Sequence, residues 1–271
     1  MSWMKRLDQA RRGYEEQDPA LSSAAHDPAN ISRAVQEGPE EHGGLGSEYL
    51  GEMVYGGLDG IITTFAVVSG VAGAELGTGV ILILGLANLF ADGFSMATGS
   101  YLSTKSEQEF YEKERAREGW EVEHYPEGER VELIELYRAA GYKDQEAEQL
   151  VDIITRDKDH WVDAMMVDEL GLLRDERNPL LNAFATLLSF ILFGCTPLLI
   201  YLIGLLISIP PAVRFPVSLT LSAAALFGLG AAKVRVTHQH PLRSGIEMLL
   251  VGGLAAGVAY IVGALLKGIG G

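Results

Sequence analysis

Residues 105–177 of this chain read KSEQEFYEKERAREGWEVEHYPEGERVELIELYRAAGYKDQEAEQLVDIITRDKDHWVDAMMVDELGLLRDER. The stretch is crowded with charged side chains, and long runs with almost no charge lie on both sides of it. Apolar runs of about 20 residues are long enough to cross a bilayer as helices. The pattern therefore predicts an all-α membrane protein with a polar insert, residues 104–178, between its membrane spans.

The insert carries glutamates in pairs three residues apart, a spacing that puts both side chains on one face of a helix. Like charges at this spacing repel each other, and a divalent cation is their natural counterion. Two adjacent methionines followed by a further glutamate add thioether sulfur, which binds transition metals rather than Mg²⁺ or Ca²⁺. The candidate metal ligands are Glu118, Glu121, Glu129, Glu132, Met165, Met166 and Glu169.

Iron(II) is the ion predicted for these ligands, and manganese(II), cobalt(II), nickel(II) and zinc(II) suit the same donors. Each feature also has an ordinary role: paired glutamates usually form a solvated helix face, and Met165 and Met166 taken alone are more often core residues. The conjunction of many carboxylates, two adjacent methionines and flanking membrane segments favours a metal site.

The composition narrows the class of protein. The chain has 271 residues, 48% of them hydrophobic, and a net charge of −15. Most acidic residues lie in the N-terminal segment and the insert, so nucleic acid is not an expected partner. Cys195 stands alone in an apolar run and is interpreted as a buried structural thiol.

Five apolar stretches are long enough to cross a membrane. Lys and Arg accumulate in the N-terminal segment and in the loop before the last stretch, which predicts a cytosolic N-terminus and insert and a C-terminus on the opposite side. Polar composition predicts a largely disordered tail. The predicted parts are the tail 1–47, spans 53–74 and 78–103 within 48–103, the insert 104–178, and spans 180–207, 213–232 and 246–266 within 179–271.

Local signals divide the insert into helices. The helix of the second span is expected to continue to about Glu118 and to be broken by Gly119, Pro126 and Gly128. Three further helices are expected near 129–140, 144–156 and 159–173, with Asp144 and Asp159 as N-caps of the last two. Pro197 predicts a kink in the third span.

Polar residues inside the spans are expensive to bury and are therefore functional candidates. Asp59 lies in the first span, and its alternative role is a carboxylate satisfied by the hydroxyl of Thr63 or Thr64. Residues Asn88, Asp92 and Met96 follow at intervals of four in the second span and share one helix face. Glu48 and Glu52 stand at the predicted cytosolic end of the first span, where a solvated helix end is equally compatible with the sequence.

Three motifs resemble the vacuolar iron transporter family, and the resemblance runs from about Glu48 to the C-terminus. They are Gly57-Leu58-Asp59-Gly60 with Val68-Ser69-Gly70, Ser95-Met96-x-x-Gly99-x-Tyr101-Leu102-x-x-Lys105-Ser106, and Trp161-x-x-x-Met165-Met166-x-x-Glu169-Leu170-Gly171-Leu172.

The resemblance implies a five-span homodimer that exchanges iron(II) for protons and exports the metal from the cytosol, with iron as substrate and no cofactor. It implies that Asp59 and Met96 form the intramembrane metal site, that Glu48 and Glu52 form the cytosolic mouth, and that the seven ligands of the insert bind metal. Asn88 stands where relatives carry a further acidic residue, with Asp92 one turn on. The expected location is the inner membrane of a bacterium or the vacuolar membrane of a eukaryote.

Two other functions remain open from the sequence. Glu121-x-x-His124 and Asp157-x-x-His160 partly match the Glu-x-x-His pairs of di-iron bundles, which predicts a membrane-anchored oxidase. Gly119 and Pro126 argue against a continuous helix around His124, and the second pair opens with Asp. A metal sensor or buffer on a passive anchor is the other alternative, and it leaves Asp59 unexplained.

Overall fold

The computed structural model describes residues 3–37, 47–237 and 240–267, and within these ranges the chain is helical and contains no strand. The predicted all-α class is thereby confirmed. In chain order the helices are α1 (Trp3–Glu15), α2 (Pro19–Ala25), α3 (Pro28–Glu37), α4 (Ser47–Gly73), α5 (Thr78–His124), α6 (Pro126–Ala139), α7 (Asp144–Ile154), α8 (Lys158–Ala164), α9 (Pro179–Gly194), α10 (Leu199–Leu206), α11 (Pro211–Thr237) and α12 (Pro241–Leu265).

Five helical segments are long and apolar enough to cross a membrane, as predicted. They are α4, the first half of α5, α9 with α10, α11 and α12. A short 3₁₀ turn, Thr196–Leu198, separates α9 from α10 and contains Pro197, which confirms the expected kink. Pro197 has no N–H to continue the helical ladder, and its ring displaces the preceding turn.

The first span, α4, lies at the centre of the bundle and packs against α5, α9, α11 and α12. Glycines allow this close packing. A Cβ atom at Gly60 would lie 2.4 Å from the carbonyl oxygen of Phe190, and one at Gly56 would lie 2.7 Å from that of Thr186. Small residues at such crossings let helix backbones approach each other inside a membrane.

The N-terminal segment differs from its prediction. Disorder was expected over residues 1–47, but α1, α2 and α3 lie within 3–37, and residues 38–46 lie outside the described part. Local capping explains two of these helices: Asp18 accepts a hydrogen bond from the Ala20 amide at 2.8 Å, and Asp27 accepts one from the Ala29 amide at 2.9 Å. Such caps satisfy amides that the first turn of a helix leaves unpaired.

Helix α5 has 47 residues and continues without a break from the membrane into the insert. Its apolar part, residues 78–103, is long enough to span the bilayer, and the charged remainder lies outside the membrane. The predicted break at Gly119 is wrong, since the helix runs to His124. A mid-helix glycine costs only about 1 kcal/mol, which the surrounding turns outweigh. The break comes instead at Tyr125, directly before Pro126 starts α6.

The remainder of the insert folds into three short helices, of which α6 and α8 pack on α5 while α7 packs on α6 and α8. The N-caps differ from those predicted: Lys143 precedes α7, and Asp157, rather than Asp159, accepts a hydrogen bond from the His160 amide. The last helix also ends earlier than expected, at Ala164, and a π-helical turn, Met165–Glu169, follows it.

The insert has its own apolar core, as its predicted apolar stripes require; that it forms a separate domain stays a prediction. The core residues are Val122, Leu133, Val151, Trp161, Val162, Met165 and Met166.

Candidate metal centre

Five of the predicted ligands converge on one side of the insert. Oxygen atoms of Glu118, Glu121 and Glu129 lie within 4.8 Å of one another, and so do those of Glu129, Glu132 and Glu169. The two groups share Glu129 and therefore form one continuous cluster of five carboxylates, which we call the carboxylate cluster. The turn at Tyr125 and Pro126 brings the first pair, on α5, next to the second pair, on α6. Glu169 joins them from the π-helical turn.

Two members of the carboxylate cluster are buried to a degree that is unusual for glutamate, whereas Glu121 and Glu169 are half-buried and Glu132 is exposed. Glu118 is fully buried and Glu129 is 8% exposed. Neither oxygen of Glu118 accepts a hydrogen bond, and one oxygen each of Glu129 and Glu169 is buried without a hydrogen-bond partner in the described part of the chain. Buried polar groups in native proteins are almost always paired. These orphaned oxygens fit a cation that takes oxygen ligands.

Electrostatics within the carboxylate cluster disfavour ionisation in the ion-free protein. Burial raises the pKa of Glu118 to about 7, and the charge of Glu169 adds to this effect. Burial likewise raises the pKa of Glu129, reinforced by Glu121, and that of Glu169, reinforced by Glu132. A bound divalent cation reverses this balance because it favours the charged form of every carboxylate around it. Metal binding here should therefore release protons near neutral pH.

Arg117 is a member of this site that the sequence reasoning missed. Its guanidinium contacts Glu114 at 2.9 Å, Glu118 at 2.5 Å and Glu121 at 2.5 Å. The contact with Glu118 is ionic and lacks the geometry of a hydrogen bond. The available sequence signal was spacing: Arg117 lies three residues after Glu114 and four residues before Glu121. Pairs at these spacings meet on a helix surface.

Met165 and Met166 lie in the apolar core of the insert and are fully buried. Their packing against residues such as Leu133 and Trp161 is the ordinary role of methionine that the sequence left open. Their backbone carbonyls accept hydrogen bonds from the Leu170 and Leu172 amides, at 3.2 and 2.8 Å, and shape the turn that carries Glu169. Metal ligation by their sulfur atoms stays a prediction.

A second polar site lies between α4, α5 and α9, where a cavity of about 380 Å³ is lined by Glu52 and Met96 together. The side chain of Glu48 lies outside the described residues. Arg177 places its guanidinium 3.7 Å from Glu52. Other lining residues include Ser100, Thr104, Asn182 and Thr186.

Asn182 organises the inner wall of this cavity and was not anticipated from the sequence. Its side-chain Nδ2 donates hydrogen bonds to Thr104 at 2.8 Å and to Ser100 at 3.1 Å. Its side-chain oxygen, Oδ1, is buried without a partner in the described residues. A polar residue within an apolar run was the available signal, since such residues mark polar paths in membrane proteins.

Asp59 lies on α4, half-buried, and interacts electrostatically with Asp92 on α5. The alternative role, in which a neighbouring hydroxyl satisfies its carboxylate, is not what the described residues show. Thr63 donates to the backbone carbonyl of Asp59 at 2.8 Å, and the buried hydroxyl of Thr64 has no partner there. Asn88 is half-buried, with its amide nitrogen also unpaired within the described ranges.

The His-containing pairs do not assemble a di-iron site in the described structure. His124 is exposed, stacks on Trp120 and bonds the Trp120 carbonyl at 2.8 Å. Asp157 serves as the cap of α8, and His160 is exposed beside it. The helix is continuous through Gly119, contrary to that part of the sequence argument, but it ends at His124, directly before Pro126 starts α6. The ligand groups among the described residues contain glutamate alone.

Comparison with known proteins adds independent findings. A family profile described as "VIT family" matches residues 50–264. The chain is 37% identical to a vacuolar iron transporter from Toxoplasma gondii, over 96% of this chain and 88% of that protein. It is 34% identical to one from Plasmodium falciparum, over 97% of each chain, and 34% identical to vacuolar iron transporter 1 of Arabidopsis thaliana, over 79% and 84%.

Proposed function

The chain belongs to the VIT family, and from this premise we propose that it carries iron(II) out of the cytosol in exchange for protons. The observation that carries the proposal is the carboxylate cluster with its orphaned oxygens. Glutamate oxygens in a half-buried site bind divalent cations, and iron(II) and manganese(II) are the ions proposed as cargo.

In the proposed route the insert faces the cytosol and captures the ion. The ion then passes to the cavity between α4, α5 and α9, where Glu52 and Met96 offer an oxygen and a sulfur ligand. We assign Glu48 to the mouth of this cavity by its position one turn before Glu52. Beyond the cavity, Asp59 and Asp92 supply two carboxylates at membrane depth.

Proton exchange follows from competition for a carboxylate. A carboxylate that holds a proton is a poor metal ligand, so binding of either one releases the other. A low pH on the far side of the membrane would protonate Asp59 and free the ion there. The net result is export of the metal driven by proton entry.

A second copy of the chain is the proposed partner. The half-buried Asp59 and Asp92 lie on membrane helices, and a carboxylate turned towards lipid costs at least about 2.5 kcal/mol. Ionisable residues in spans nearly always face protein or a water-filled path. A homodimer that buries this face of α4 and α5 would provide such a path between its subunits.

The test is iron(II) flux into proteoliposomes of the purified protein, under anaerobic conditions, with and without a proton gradient. The parental protein should show gradient-stimulated flux, and Asp59→Ala should abolish it while metal binding by the insert persists. Glu75→Gln removes an exposed carboxylate in the turn between α4 and α5, where it pairs with Lys267, and should leave flux unchanged.

Parental flux in Asp59→Ala would show that Asp59 has no such role. If the parental protein binds iron(II) at the insert but transports none, the metal buffer or sensor becomes the better interpretation.

A further inference from the structure

Arg117 places a positive charge inside the carboxylate cluster where the proposed cargo would bind. Its guanidinium touches Glu118 and Glu121, both at 2.5 Å, and these are two of the five proposed ligands. Its third partner, Glu114, is one turn earlier on α5, at 2.9 Å, and does not belong to the carboxylate cluster. The Arg117 guanidinium is therefore shared between the carboxylate cluster and Glu114 beside it.

The ion-free site needs such a counterion. Glu118 is fully buried, and several like charges surround it. Within the described part of the chain, the salt bridges to the five clustered glutamates all come from Arg117. A guanidinium is permanently charged, so it balances one negative charge of the carboxylate cluster at any physiological pH.

A guanidinium in contact with Glu118 and Glu121 competes with a divalent cation for these carboxylates, because both are positively charged. A metal bound by Glu118 and Glu121 would lie a few ångströms from Arg117, in a region where charges are poorly screened. Glu114 offers Arg117 an alternative partner that needs only a change of side-chain rotamer, because the two are already in contact. A bound metal would therefore favour movement of the guanidinium away from Glu118 and Glu121 towards Glu114.

We propose that Arg117 is a tethered counterion that occupies the carboxylate cluster in the ion-free protein and retracts to Glu114 when a divalent metal binds. This inference rests on the proposed metal site. Arg117 lowers the affinity of the insert, since every binding event must first displace it. A transporter benefits because a captured ion that is bound less tightly can be passed on.

The test compares metal binding by full-length variants in an Asp59→Ala background, which removes the intramembrane ligand. Manganese(II) is titrated into each purified protein, and the free ion is measured by electron paramagnetic resonance. Arg117→Gln should bind manganese(II) about tenfold more tightly, the scale of a charged hydrogen-bonded pair reduced for partial exposure. Arg117→Lys, which keeps the charge, should stay near the parental affinity.

Arg115→Gln is the matched control, because Arg115 lies on the same helix and pairs with Asp163 outside the carboxylate cluster. Its affinity should equal the parental value. Glu114→Gln removes the alternative partner and should weaken binding in the parental protein, with a smaller effect when combined with Arg117→Gln. This difference between backgrounds distinguishes exchange of partners from a general change in charge.

Tighter binding in Arg117→Gln, with Arg117→Lys and Arg115→Gln near the parental affinity, supports the proposal. Equal or weaker binding, with the fluorescence of buried Trp161 showing a folded insert, overturns it while leaving the metal site intact. If the parental insert binds no manganese(II), the capture step of the proposed function fails, and this inference fails with it.

Discussion

Replacing Glu118 with glutamine should have opposite effects on the insert with and without metal. The pKa of Glu118 is raised from 4.5 to about 7 in the folded protein, chiefly by burial. Folding therefore favours the neutral carboxyl group, and the stability that this provides is complete below pH 4.5 and lost as the pH rises through 7. Glutamine is neutral at every pH, so the variant should keep this stability at pH 8.

The size of the effect follows from the shift in pKa. Raising the pKa to about 7 corresponds to about 3 kcal/mol of unfolding free energy lost by the parental protein at pH 8. The amide of glutamine brings two donor hydrogens towards Arg117, which offsets part of that. We expect Glu118→Gln to raise the unfolding free energy of the ion-free insert by about 1–2 kcal/mol at pH 8, and by little at pH 5.

Bound metal should make the parental insert more stable than the Glu118→Gln insert, the reverse of the order without metal. A ligand present at 100 times its dissociation constant stabilises the folded state by about 2.7 kcal/mol. Glu118→Gln removes one of the five proposed ligands of the carboxylate cluster and should lose most of this gain. The parental insert should then be the more stable one in saturating manganese(II).

Tryptophan fluorescence during urea unfolding measures this directly. The chain has three tryptophans: Trp120 and Trp161 lie in the insert, Trp3 lies in the N-terminal segment, and none lies in a membrane span. Unfolding curves are compared at pH 5 and pH 8, with a chelator or with manganese(II). Glu123→Gln is the control of opposite sign, because Lys158 lowers the pKa of this exposed carboxylate. The reasoning is refuted if Glu118→Gln gives no stabilisation at pH 8 without metal, or if metal stabilises both proteins equally.

Two further pairs of variants test the packing of the insert and of the membrane helices. Leu133→Ala should lower the unfolding free energy of the insert by about 2–5 kcal/mol, since Leu133 is fully buried in its core; Ile153→Ala, at a position 59% exposed, should cost far less in the same urea experiment. Gly60→Ala should lower the thermal midpoint in detergent, because its Cβ would lie 2.4 Å from the Phe190 carbonyl oxygen, at a cost of about 1–3 kcal/mol. Gly119→Ala has no atom within 4 Å of its Cβ and should stabilise α5 by about 0.5–1 kcal/mol. Equal midpoints for the two glycine variants would contradict both assignments.

Long periodic features of the fold were predictable from the sequence. Apolar runs specify membrane helices by length alone, and all five were found. Boundaries were harder. Gly119 is a helix breaker by propensity, yet the turns on both sides of it are fixed by tertiary contacts with α6 and α8, and these outweigh a cost of about 1 kcal/mol. The short N-terminal helices depend on caps such as Asp18, which composition does not reveal.

The carboxylate cluster was predictable in part. Spacing placed Glu118 with Glu121 and Glu129 with Glu132, because helix geometry is periodic. The two pairs meet only because the chain turns at Pro126, and the direction of that turn depends on tertiary packing that spacing does not reveal. Arg117 was missed because only glutamates and methionines were considered as metal ligands, and an arginine among them does not bind metal. Asn182 was missed because its partners, Thr104 and Ser100, are about 80 positions away in the chain.

The unbroken helix α5 also sets a distance. At 1.5 Å per residue it is about 70 Å long, and the rise from Met96 to Glu118 along it is about 33 Å. A continuous helix resists bending, so α5 keeps the two proposed metal sites at a fixed separation. An ion released by the insert must cross a gap wider than several hydration shells, and a rigid tilt of α5 leaves this gap unchanged because both ends of it move with the helix. If the part of α5 in the insert tilts, the part in the membrane, which carries Met96, Asp92 and Asn88, tilts by the same angle.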